Sequence, residues 1–197
     1  MISIIGVRFH GRGGQGVVTA ADILAVAAFK EGYWTLSFPM FGAEKRGGPV
    51  VSYLRISEGK IYDRDEIYEP DYVVVLDPTL VGKDVITGLK GWLIANYPDK
   101  EKAKKKTDWD KVLTLDATKI ALEVLGKPIT NTTMVGAFAG FTKIVKLETL
   151  KETIYEWFEK KGEEIANKNV DVVERAYKEA ETYADKLRSG IETARIP

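Results

Sequence analysis

The chain has 197 residues, 45% of them apolar, and its 29 basic and 29 acidic side chains balance to zero net charge at pH 7. That length and apolar content can bury a core, and the balanced charge excludes a protein-wide field that would draw the chain to nucleic acid or an anionic membrane. The absence of cysteine excludes disulfides, a thiolate nucleophile and an iron–sulfur cluster on the chain's own thiolates, and a single histidine, His10, excludes a histidine-rich zinc site. No stretch reaches the roughly 18–20 uninterrupted apolar residues of a membrane span. The opening MISIIGVRFHG lacks a basic leader and is broken by Arg8, so a cytoplasmic protein with no membrane partner is expected. One glutamine, few asparagines and many lysines and glutamates fit a protein from a hot environment.

Ile2 to Phe9 is apolar and β-branched and predicts a buried first strand. Val17 to Lys30 carries small apolar residues at helical spacing and is stopped by Gly32. Tyr33 to Phe38 predicts a second strand, followed by the loop Pro39 to Pro49. Val50 to Ile56 and Lys60 to Tyr62 are expected to form a hairpin across Ser57 to Gly59. The runs Tyr72 to Leu76, Gly91 to Ala95 and Val112 to Leu115 predict strands, the first of them buried on both faces. Lys100 to Lys106, KEKAKKK, predicts a solvated helix face. Further helices are expected at Thr118 to Leu125, Thr132 to Val145, Leu150 to Lys161 and Val170 to Leu187, with the charge-rich Lys160 to Lys168 as a linker. Gly136, Ala139 and Gly140 leave room for close backbone packing. Strands alternating with helices imply an α/β, Rossmann-like sheet packed between helices, with a helical C-terminal segment. We expect a single domain, 1–145 as the core and 146–197 as a helical extension.

Between the first strand and the first helix lies Gly11-Arg12-Gly13-Gly14-Gln15-Gly16, which satisfies G-x-G-x-x-G. Glycines at such a turn admit positive φ and let the backbone approach a phosphate, which the helix N-terminus attracts. Two refinements are missing. The acid that a NAD site places at the end of the second strand is replaced by Ser37-Phe38-Pro39, and the Lys-Ser/Thr that closes a P-loop is replaced by Val17-Val18. The turn thus suits an anion without being a NAD or ATP site, or else is a tight turn with no ligand. Gln15, the only glutamine, stands where a polar side chain would meet a ligand. Glu44-Lys45-Arg46-Gly47-Gly48 sets two cations beside two glycines, fit for a phosphate or for a subunit contact. In a doubly wound sheet this loop and the glycine turn would lie side by side. Asp77 and Asp116 end strands and are read as caps, and His10 as a packing or hydrogen-bonding residue. No nucleophile–base pair stands out, so no catalytic residue and no metal ligand is expected on this chain.

The segments HGRGGQGVVTAADILAVAAFKEG, FGAEKRGGPVVSYLRIS, PDYVVVLDP and NTTMVGAFAG resemble the gamma subunit of archaeal 2-oxoacid:ferredoxin oxidoreductases of the pyruvate and 2-oxoisovalerate type. The likeness runs from residue 1 to about 185, and gamma chains of indolepyruvate and 2-oxoglutarate enzymes look similar. It implies an enzyme of alpha, beta, gamma and delta chains that decarboxylates a 2-oxo acid, passes electrons to ferredoxin and releases acyl-CoA. Thiamine diphosphate, its magnesium and the iron–sulfur clusters would sit on partner chains. This chain would hold part of coenzyme A and cover the active site. By position, Gly13, Gly14, Gln15 and Gly16 would meet the pyrophosphate or pantetheine, flanked by Gly11, Arg12 and Gly47. Lys45 and Arg46 would face the phosphates and Asn131 the active-site entrance. A stand-alone nucleotide-dependent oxidoreductase and a purely structural assembly subunit remain the alternatives.

Overall fold

Six strands order as β2-β3-β1-β4-β5-β6 in a mixed sheet, in a computed structural model that describes residues 3–40 and 47–190. They are β1 (Ile4–Arg12), β2 (Trp34–Pro39), β3 (Pro49–Ser57), β4 (Tyr72–Val75), β5 (Trp92–Asn96) and β6 (Val112–Leu115). β1, β4, β5 and β6 run parallel, and β3 lies antiparallel between β1 and β2. The expected hairpin from 50 to 62 does not form. The whole of β3 is claimed by long neighbours on both sides, β1 over nine residues and β2 over six, and residues 60–62 lie in the connection to β4.

The helices are α1 (Val17–Lys30), α2 (Lys100–Thr107), α3 (Ala117–Leu125), α4 (Asn131–Thr142), α5 (Leu147–Phe158) and α6 (Glu163–Arg188). α6 starts seven residues before the sequence pattern predicts. Its early turns are charged on the outside yet bury Ala166 and Asn169, so the stretch expected as a linker is helix. Val7 and Phe9 of β1, Leu54 and Ile56 of β3 and Val74 of β4 pack with α1, α3, α4, α5 and α6 into one core. Val73, Val75, Leu93 and Ala95 face the opposite side, where Ala103 of α2 and Val81, Val85 and Leu89 after β4 cover them. An unbroken apolar strand is what burial on two faces requires. β1 instead alternates, because Arg8 and His10 turn away from the helices. Buried Arg8 donates to the carbonyls of Ile67 (3.4 Å), Val85 (2.9 Å) and Thr87 (2.7 Å), pinning the long connections on that side.

The helical layer is locked by α4 against α6. A Cβ on Gly136 would stand 2.6 Å from the Val173 carbonyl oxygen, and one on Gly140 2.1 Å from that of Tyr177. Among the described residues no helix is long and apolar enough to cross a membrane.

Candidate functional site

After β1 the chain passes to the helical face through α1, whereas after β4 it passes to the other face. The carboxyl ends of these neighbouring strands therefore part, making the kind of crevice where open α/β sheets bind ligands. The glycine turn stands there. A Cβ on Gly11 would come 2.5 Å from Val17 Cγ2, so this glycine serves to seat strand on helix. Gly14 (φ 91°) and Gly16 (φ 74°) take left-handed conformations that glycine adopts freely. Gly13 N–H donates to the Gly48 carbonyl (2.9 Å), so the two glycines that end the EKRGG segment reach the turn. They do so because β3 begins beside the end of β1, Arg12 pairing with Pro49, and not because β1 and β2 are neighbours. Lys45 and Arg46 lie outside the described residues.

A hydrogen-bond network closes the crevice itself. Arg12 N–H donates to Gln15 Oε1 (2.7 Å) and Gln15 Nε2 donates to Asp77 Oδ2 (2.6 Å). The other oxygen of Asp77 accepts from the Thr79 amide (2.8 Å) and hydroxyl (2.6 Å). Arg12 reaches Thr79 Oγ1 (3.0 Å) and the Gly47 carbonyl (3.4 Å), with Asp77 at 3.5 Å. Burial pushes the Asp77 carboxyl up, but the bonds from Thr79 and Gln15 and the Arg12 charge together hold it below the usual carboxylate range. Both ends of the Gln15 side chain are thus engaged within the protein, and what the turn leaves open is backbone.

That backbone opens on the helical side, into a cleft of about 620 Å3. Three helix starts line it: Gly16 and Thr19 of α1, Asn131 of α4, and Glu164 and Ile165 of α6. Among the described residues none of the three has a side-chain cap, whereas α2 and α3 are capped by Asp99 and Asp116. The first N–H groups of a helix lack intrahelical partners and carry partial positive charge, so the cleft wall favours an anion. Asn131 is only 6% exposed; its Oδ1 accepts from Thr132 N–H (2.9 Å), while its Nδ2 has no partner among the described residues. A Cβ on Gly16 would stand 2.5 Å from that Nδ2, which places the amide directly over the turn. Three lysines, Lys127, Lys161 and Lys168, line the cleft against one carboxylate, Glu164. A larger cleft of about 770 Å3 lies between α2, β6 and α6, but its helix start at Lys100 is already capped by Asp99.

The structure brings Gly14, Gln15, Gly16 and Asn131 to one cleft, with Gly11, Arg12, Gly13 and Gly47 in the turn's support. The lysines of the cleft went unmarked in the sequence because they follow α3 and flank the start of α6, where charge reads as solvation. His10 is not among the lining residues. Its Nε2 accepts from Arg8 Nε (2.9 Å), and burial and the Arg8 charge lower its pKa to about 3, so it is a neutral ring held on the opposite face. No group of acidic and histidine residues among the described ones could hold a metal ion.

A family profile described as pyruvate ferredoxin/flavodoxin oxidoreductase matches residues 6–179. The chain is 49% identical over 188 residues to the pyruvate/ketoisovalerate oxidoreductases common subunit gamma of Thermococcus kodakarensis, covering 91% of this chain and 99% of that one. Its fold matches the crystal structure of pyruvate oxidoreductase subunit PORC from Thermotoga maritima with a TM-score of 0.79 and 36% identity, over 89% and 96% of the two chains. It also matches the 2-oxoglutarate:ferredoxin oxidoreductase of Magnetococcus marinus, solved with 2-oxoglutarate, coenzyme A and succinyl-CoA, with a TM-score of 0.71 and 22% identity. That match covers 91% of this chain and 31% of that longer one, so it shows a shared fold. With a family profile over residues 6–179, 49% identity across nearly the whole of a gamma chain and a shared fold with a PORC subunit, this chain belongs to the pyruvate ferredoxin/flavodoxin oxidoreductase family, as a chain of its gamma type.

Proposed function

We propose that the chain is the gamma subunit of a 2-oxoacid:ferredoxin oxidoreductase built with alpha, beta and delta chains, and that it contributes coenzyme A binding and cover for an active site on its partners. The observation that carries this reading is the single cleft onto which the glycine turn and three uncapped helix starts open. Coenzyme A is a polyanion, and its pyrophosphate suits the backbone N–H groups of Gly14 and Gly16, with the Asn131 amide as a further donor, while the Gln15 N–H is held by the Arg12 carbonyl (3.0 Å). Arg12, Gln15 and Asp77 hold the turn in shape. Lys45 and Arg46, two cations in sequence just before Gly47, are assigned to the phosphates in this reading. Thiamine diphosphate, magnesium and iron–sulfur clusters belong to the partner chains in this reading, as does transfer to ferredoxin, since this chain offers neither thiolates nor a paired general base.

The test is Gly14→Val in the assembled complex. Among the described residues no atom lies within 4 Å of a Cβ at Gly14, which lines the cleft, and its φ of 91° disfavours a branched residue. Decarboxylation of the 2-oxo acid should persist while the KM for coenzyme A rises about tenfold or more, the loss of one charge-assisted bond. Unchanged coenzyme A kinetics would instead favour an assembly subunit with an empty turn. That second reading has one observation behind it, the Gln15–Asp77 network, which makes the turn self-sufficient.

A further inference from the structure

The sheet has a second face, turned away from the helices and from the cleft. We infer that over β2 and β3 this face docks the chain onto a partner subunit, which seats an aspartate or glutamate on Arg55 among apolar side chains; the inference rests on the multi-subunit reading above.

β2, at the edge of the sheet, is amphipathic in the reverse of the usual sense. Strand side chains alternate between the two faces, and the Ser37 hydroxyl donates to Asp22 Oδ1 of α1 (2.5 Å), so Thr35, Ser37 and Pro39 turn toward the helices. Trp34, Leu36, Phe38 and Met40 share the other face. There the Phe38 ring lies 5.2 Å from that of Tyr53, and Tyr53 Oη stands 3.7 Å from Met40 Sδ. A half-buried strand ordinarily gives its apolar side to the core and its polar side to water. In β2 the helical layer takes the polar side. On the far side α2 packs over β5 and β6, and the connection 58–71 reaches Arg8 and Tyr53 with Ile67 and Glu66. Trp34 and Met40 stay 48% and 41% exposed, and Tyr68 of that connection 71%. Large apolar side chains grouped on one open face mark a contact surface.

Arg55 lies within this face, in register with Leu36 of β2 and Gly6 of β1. It is 9% exposed, as Arg8 is. Arg8 donates to three carbonyls of the fold, whereas Arg55 makes no hydrogen bond and no ion pair among the described residues, and its Nη1 is buried without an acceptor. The Phe38 ring, 5.7 Å from the Arg55 guanidinium, attracts it but offers its N–H groups no acceptor. A desolvated guanidinium without an anion is destabilising, and a carboxylate matches its fork with two parallel hydrogen bonds. The complement to Arg55 is therefore a carboxylate from outside the chain.

The rim has the opposite sign. The connection 58–71 holds six acidic residues against two basic ones, with Glu58, Asp63, Asp65 and Glu69 exposed. Those charges repel a nucleic acid or an anionic membrane, and a second copy on a two-fold axis through this face would bring Arg55 toward Arg55. A protein surface with one carboxylate inside an apolar patch, and basic residues around it, fits both centre and rim. Arginine and tryptophan at the centre of a contact are the residue types that most often dominate its affinity.

The experiment measures association of the full 197-residue chain with its assembled partner chains by biolayer interferometry, with thermal melts of each isolated chain alongside. It compares the parent with Arg55→Met, Arg55→Lys and Trp34→Ala. Arg55→Met removes an unpaired buried charge and keeps an apolar stem, so the isolated variant should melt no lower than the parent. It should nonetheless associate about 30-fold or more weakly, because the partner's carboxylate is left buried and unpaired. Arg55→Lys should recover part of that loss, and Trp34→Ala should weaken association about tenfold or more. An Arg55→Met chain that melts well below the parent makes Arg55 a residue of the fold and overturns the inference. So does a parent that associates no more tightly than Arg55→Met and Trp34→Ala, a result that leaves the multi-subunit reading standing. Self-association of the parent that Arg55→Met abolishes gives the face to a second copy and overturns the partner subunit. A parent that does not associate with the partner chains at all overturns both readings.

Discussion

His10 and Arg8 form a pair with a consequence for acid stability. The ring is neutral in the fold, with a pKa near 3, and ordinary at 6.5 once unfolded. Protons therefore bind the unfolded chain first, and stability is complete above about pH 6.5 and falls as pH drops toward 3, by about 1.4 kcal/mol per unit. Carboxylates act lower: Glu174, held near 2 first by its bonds from Lys151 and Lys178, loses its contribution only below its ordinary 4.5. Between pH 6.5 and 5 the parent should lose about 2 kcal/mol, and His10→Asn should lose little, as urea denaturation at each pH would show. Gln15 makes a second residue-scale case. Gln15→Leu removes the donor to Asp77 Oδ2 and the acceptor for Arg12 N–H, both partly buried. We expect about 1–3 kcal/mol of lost stability in denaturant melts and a turn that no longer holds its shape for an anion.

At the scale of elements, the α4–α6 contact sets the cleft. Gly136 and Gly140 meet carbonyl oxygens of α6, not flexible side chains, so an added methyl moves a helix axis. Gly140→Ala should cost roughly 2–4 kcal/mol despite the better helix propensity of alanine, lowering the thermal midpoint by about 4–16 °C. Since the first turn of α6 carries Ile165 and stands beside Lys161, the same variant should also weaken coenzyme A binding. Thermal melts with and without coenzyme A separate the two effects: a stability loss with unchanged ligand shift would detach α6 from the site. Salt links reinforce the packing, Arg175 to Glu123 of α3 and Lys151 of α5 to Glu174, but most are solvent-accessible and contribute little each.

For the whole molecule, the proposed role predicts dependence on partners. The isolated chain should be colourless and should not turn over 2-oxo acids with a viologen dye, and adding alpha, beta and delta chains should restore the activity. Turnover by this chain alone would overturn the assignment.

The strand–turn–helix at Gly11 to Gly16, the apolar run of β4 and the close glycines of α4 could be read directly, because local chemistry dictates them. A glycine cluster allows few conformations other residues share, a strand buried on two faces must be apolar throughout, and a helix that touches another backbone must carry small residues there. The antiparallel insertion of β3 between β1 and β2 could not be read, since its alternation fits pairing with either neighbour and only long-range register decides it. Nor could the engagement of Gln15 by Asp77, 62 residues away. The cleft itself is wholly a product of tertiary structure: Gly16, Asn131 and Ile165 are distant in sequence, and only packing α6 onto α4 and α4 beside α1 turns three separate helix starts into one positive wall.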